Sequence, residues 1–224
     1  MRSLLTLFTL SALLFAGCNG CNSSNNDPEG PSKPVKKKKP ENIIMVGADT
    51  LEHITAQADE YFKSMSEGRF EDYVEVVYPG VFFEDSLKIK TIEALKGYEE
   101  QGFMNVTNSQ HIKHISPIVH EEDKSVCQVW LDIEHDVFIG ENYSEAPETL
   151  EPMIRSQFGE GRYRYNADQM KYEVKGLIKL YAISPKDSMH FTFLNEQYTQ
   201  SRAVANILKY ETLMEMKNFE AENF

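Results

Sequence analysis

His135 is the one side chain in this 224-residue sequence whose setting suggests acid–base chemistry. Along Val126 to Phe138, two-residue alternation puts Cys127, Val129, Leu131, Ile133, His135 and Val137 on one face of a strand. An imidazole in an apolar wall works as a base when a second ionisable group orients it. Without such a group it is a histidine satisfied within the core. Tyr98 and Tyr181 can line the same pocket, although tyrosines at helical or strand spacing also serve in packing. The opposite strand face carries Asp132, Glu134 and Asp136, three carboxylates of the kind that hold Ca²⁺. No loop glycine or carbonyl pattern accompanies them, so they read as a solvated acidic strip. His111 and His114 form H-x-x-H, but an odd offset on a strand sends the two rings to opposite faces. Gly159 and Gly161 are not followed by a helix opening on Lys-Ser or Lys-Thr, so they form no phosphate cradle. Cys127 reads as an inert core thiol. The expected inventory is no metal, no cofactor, no catalytic set, and His135 as the single candidate base.

A second kind of chemistry is written at the start of the chain. Arg2 precedes the apolar stretch Ser3 to Ala16, and Ala16-Gly17-Cys18 follows. The apolar stretch is shorter than the roughly 20 residues that a helix needs to cross a bilayer. The segment Phe15-Ala16-Gly17-Cys18 resembles a bacterial lipoprotein signal. That resemblance implies cleavage after residue 17 and attachment of a lipid to Cys18, with palmitate among the acyl groups. It implies a lipid-anchored protein of the bacterial cell envelope, expected at the outer membrane. Residues 18–41 hold four of the nine prolines and the run Lys36 to Lys39, with Val35 the one aliphatic residue. They read as a flexible tether of about 25 Å root-mean-square reach.

The elements that must position His135 follow the tether. Apolar spacing from Asp49 to Met65 predicts a helix opened by the D-x-x-E capping box Asp49 to Glu52. Further helices are predicted over Phe70 to Tyr78 and from Asp85 to Gly102. The period then changes to two. Ile112 to Val119 and Val126 to Phe138 read as paired strands around the polar turn His120 to Lys124. An inserted helix over Pro147 to Phe158 follows, then strands Tyr172 to Ile183 and Met189 to Asn195. A helix over Arg202 to Met216 closes the chain. Neither an internal repeat nor a second tether interrupts residues 42–224, which are expected to form one α+β domain.

The stretch from Ala58 through Tyr61-Phe62-Lys63 to Tyr73, the third helix before the sheet, and the late strand pair resemble the nuclear-transport-factor-2-like superfamily. That resemblance implies helices packed on an antiparallel sheet curved into a cystatin-like cone, with the inserted helix and the C-terminal helix as additions. Enzymes of this superfamily place Asp, His or Tyr inside the cone, so it also implies a hydro-lyase or isomerase with His135 as base. The absent cluster points instead to a non-catalytic cone that binds a small hydrophobic ligand or a protein partner. A structural role, with the sheet face of Trp130 buried in a homodimer, is the third expectation. Asp49-Thr50-Leu51, Asp85-Ser86-Leu87 and Asp187-Ser188-Met189 resemble a bacterial O-glycosylation acceptor, but each has a structural reading at a helix start or a turn. The net charge is −12 overall, and residues 42–224 carry 17 basic and 32 acidic side chains, or −15. That excess excludes a general nucleic-acid binder, which needs basic side chains to neutralise phosphates.

Overall fold

Burial of an apolar stripe fixes the first helix. In the computed structural model, which describes residues 43–143, 146–195 and 201–223, α1 spans Ala48–Ser66 and buries Ile54, Ala58, Tyr61 and Phe62 at three- and four-residue spacing. Removing each such side chain from water contributes about 1.5–3 kcal/mol. The helix opens one residue before the expected capping box. Gly47 is its N-cap, no side chain caps it, and Asp49 lies inside the first turn, where a negative charge suits the helix dipole. Helix α2 (Phe70–Val76) and α3 (Asp85–Glu100) follow, and α3 lies on the surface with no fully buried residue.

The sheet is antiparallel and open. Its long members are β2 (Phe103–Ile115), β4 (Lys124–Ile139) and β6 (Lys171–Pro185). Proline has no N–H to donate to a ladder, and Pro117 falls between β2 and β3 (Ile118–His120), which run along the same side of β4 as one broken strand. β1 (Ile43–Ile44) pairs outside β3, while β5 (Tyr163–Asn166) and β7 (Thr192–Asn195) both pair outside β6. Among the described residues no ladder joins the β1–β2 margin to the β5–β7 margin.

The α+β arrangement is therefore present, and the expected cone is not. Curling a sheet requires bulges or bends in its central strands. The β4–β6 ladder instead runs through fifteen consecutive pairs, Lys124↔Pro185 to Phe138↔Lys171, in unbroken register. The two irregularities fall in β2, between Thr107 and Ser109 and between Ile112 and His114.

Helices on both faces also distinguish this fold from a hollow cone. On one face α1, α4 (Glu151–Phe158) and the sheet enclose a core that includes Val129, Leu131, Ile133, Val137, Tyr172 and Val174. On the other face the closing segment, expected as one helix, forms α5 (Ser201–Ile207) and α6 (Tyr210–Asn223). Val204 of α5, Leu208 between the helices and Met216 of α6 pack with Val126, Tyr181, Ile183 and Leu194. Covered on both sides, Ser125 to Leu131 of β4 are seven consecutive buried residues, where alternation alone predicts every second one. Trp130 is among them, with its ring 5.7 Å from that of Phe219 on α6. The face proposed from sequence for a homodimer is thus occupied by the chain's own C-terminal helix.

Candidate functional site

The His135 ring sits half-buried on the α1 side of the sheet, opposite Thr107 in the β2–β4 register and Val174 in the β4–β6 register. Both ring nitrogens are engaged. The Asn105 side-chain amide lies 3.4 Å from Nε2. Nδ1 is hydrogen-bonded to Thr107 Oγ1 at 3.1 Å. The Thr107 amide in turn donates to Ser66 Oγ at the end of α1 (3.0 Å), which ties the bulged strand to the helix. The Phe158 ring of α4 covers the imidazole at 6.0 Å. Burial pushes the His135 pKa down to about 4, opposed by the negative charge of Asp136. The Asp136 carboxylate turns away to Lys171 Nζ, 2.7 Å distant. Among the described residues the side-chain hydrogen-bond partners of the imidazole are an amide and a hydroxyl.

The other expected pocket residues do not join it. Tyr98 is half-buried on α3 with its ring edge-on to Phe103 at 6.3 Å. Tyr181 is buried on the opposite face of the sheet, in the cluster under α5 and α6. Tyr98, His135 and Tyr181 therefore do not line one pocket. Cys127 is buried, and burial pushes its thiol up to about 12, far from a reactive thiolate. Cys18 lies outside the described residues, as do the whole of the expected signal segment and the expected tether.

The H-x-x-H pair needs a correction. The bulge between Ile112 and His114 absorbs one residue, so His111 pairs with Asp132 and His114 with Trp130, both on the same face of β4. The parity argument fails there because register shifts are invisible to simple alternation. Among the described residues no group of three His, Cys, Asp or Glu side chains is arranged to hold a metal ion. Of the acidic strip, Glu134 pairs with Lys175 at 2.6 Å and Asp136 with Lys171, while Asp132 is exposed.

A feature that sequence reasoning missed lies at the other end of the sheet. The β3–β4 turn, the β6–β7 turn and the start of α6 border an open cleft of about 620 Å³ lined by His120, Glu121, Glu122, Lys186, Lys209 and Thr212. Glu121 is buried at its base and accepts from the Lys209 amide (2.9 Å) and the Thr212 hydroxyl (2.7 Å), so it caps α6. Lys124 stands 3.3 Å from the same carboxylate and donates to the Ile207 carbonyl (2.7 Å) at the end of α5. A carboxylate and an ammonium from one four-residue turn thus clamp both C-terminal helices. The clamp uses long-range partners, 83 to 91 residues away, that no local pattern announces.

No protein-family model matches the chain, and no curated protein matches it. The resemblance to a lipoprotein carrying a nuclear-transport-factor-2-like cone finds no support there, and the open, two-sided sheet overturns its structural half. No described helix is long and apolar enough to cross a membrane.

Proposed function

We propose that this protein is a non-catalytic, membrane-held domain that presents its surface to a protein partner in the bacterial envelope. The observation that carries the non-catalytic reading is the setting of His135, whose ring nitrogens meet the Asn105 amide and the Thr107 hydroxyl beneath the Phe158 ring. Tyr61, Phe62, Phe158, Tyr172 and Phe193 fill the face on which a hydrophobic ligand would otherwise lie. That packing favours a protein surface over a small-molecule cavity. The attachment reading rests on the Arg2 to Cys18 segment and the proline- and lysine-rich stretch after it. Export with acylation of Cys18 leaves the domain of residues 42–224 on about 25 Å of tether.

The experiment is a paired fractionation. The full chain is expressed in a bacterial host with a labelled fatty acid, beside a Cys18→Ser variant. Wild type is expected to carry the label and sediment with membranes, while the variant is unlabelled and at least tenfold more abundant in the soluble fraction. Equal labelling, or equal membrane association without a label, contradicts the reading.

A further inference from the structure

The margins of the sheet are unequal. β1, β5 and β7 offer two, four and four residues, while β2 runs for thirteen. Among the described residues β2 pairs with β4 alone, so its outer side meets no other strand. A row of unpaired N–H and C=O groups of that length is a template for another strand. The side chains sharpen the hazard. Phe103 to Ile115 contain no proline and no carboxylate, and Lys113 is the single Lys or Arg among them. Val106, Thr107, Ile112 and Ile115 favour extended chain. Low charge without proline is the pattern of strands that stack on their own copies.

We propose that β2 is built to refuse a second copy of this chain, through its two bulges, Lys113 and the bond from its margin to Ser66. Asn108 and Lys113 are the residues that the β4 register skips, and both are exposed. Each bulge bends the strand and raises its twist. The long margin is thereby broken into regular runs of five, four and two residues: Phe103 to Thr107, Ser109 to Ile112, and His114 with Ile115. Those runs are as short as the other margins of the sheet. The second bulge also carries the strand's one ammonium. A neighbouring strand would have to strip it of water, at a cost that no carboxylate of a second β2 offsets. Beside the first bulge the Thr107 amide donates to Ser66 Oγ at 3.0 Å, so this donor is already spent on the end of α1. The interior β4–β6 ladder, by contrast, holds fifteen pairs with no irregularity. The inference concerns self-association and is independent of acylation at Cys18.

Deletion tests this directly, because removing Asn108 and Lys113 leaves every other β2–β4 pair with its present partner. Met104, exposed near the start of β2, is replaced by a photo-crosslinking amino acid in the full chain, with and without the two deletions. Each protein is prepared in light- and heavy-nitrogen forms, which are mixed, irradiated and digested. Mass spectrometry then counts the β2-to-β2 links between copies and ignores links within one. Native Trp130 emission and a cooperative melt identify folded protein. The folded deletion variant is expected to give at least tenfold more such links than the undeleted chain at equal concentration. A folded deletion variant below that level overturns the proposal. So does an undeleted chain that already links β2 to β2 as strongly as the variant. If the deletions unfold the domain, Lys113→Thr with both bulge positions retained decides the matter. At least a threefold rise is then expected, and a smaller one overturns the proposal.

Discussion

Replacing Glu121 with Ala is expected to loosen the C-terminal helices from the sheet while leaving the α1-side core folded. The carboxylate makes two hydrogen bonds to the start of α6 and one close ionic contact with Lys124, and the two side chains are 3% and 14% exposed. Loss of a helix cap costs about 0.5–2 kcal/mol, and stripping one partner from a buried ion pair costs about 3–5 kcal/mol. Lys124 keeps the Ile207 carbonyl, which reduces the second figure. A combined loss of about 3 kcal/mol follows. Val204, Leu208 and Met216 are buried in the second core, with Ile207 and Leu213 packed against it and Phe219 on Trp130, and these contacts also hold α5 and α6. The assay is urea unfolding followed by the fluorescence of Trp130, the sole tryptophan, which Phe219 of α6 covers. The variant is expected to show an early red shift ahead of the far-ultraviolet transition, and faster amide exchange in α6 than in β4. Adding Lys124→Met should recover part of the loss, because the orphaned ammonium disappears. A loss below about 1 kcal/mol, with coincident transitions, refutes the clamp.

Other perturbations have equally definite outcomes. Gly140→Ala puts a methyl group 2.6 Å from the Gly102 Cα where the ends of β2 and β4 meet, so a fall of about 5–10 °C in Tm is expected in a thermal scan. Met170 holds φ at 48°, a left-handed conformation costly for a bulky side chain, so Met170→Gly should raise stability by about 0.5–1 kcal/mol in urea titration, whereas Met170→Ala should not. Phe219→Ala should red-shift the native emission of Trp130 and cost about 1–2 kcal/mol by the same titration.

What was legible in the sequence was local. The helix over Ala48–Ser66, the inserted helix ending at Phe158 and the paired strands around His120 to Lys124 all follow from periodicity and punctuation. The burial of Trp130 and Gln128 was not legible, because it depends on α5 and α6 folding back over the second face of the sheet. A strand covered on both faces loses the alternation from which its exposure is read. The cone failed for a related reason. Helix order and a final hairpin constrain which elements exist, while sheet curvature depends on bulges in β4 and β6 that the sequence does not flag and the ladder does not contain. The same bulge blindness misassigned His111 and His114. At His135 the residue type was plain, but its partners Asn105 and Thr107 were not, since they face it through a register set by the bulge after Thr107.

The state of His135 is the most direct measure of the non-catalytic account. Its folded value of about 4 lies below the ordinary 6.5, so between these values the unfolded chain holds the proton that the folded chain refuses. The stabilisation is complete above pH 6.5 and is lost as the pH falls through 4, a total of about 3 kcal/mol if the burial is maintained. Following the His135 ring protons by nuclear magnetic resonance from pH 8 to 3.5 tests this directly. The account expects a neutral imidazole at every pH above 5, with a midpoint near 4 that vanishes from the stability profile in His135→Gln. A midpoint between 6 and 7, or a second titration coupled to the ring, would show an imidazole poised for proton transfer and contradict the account.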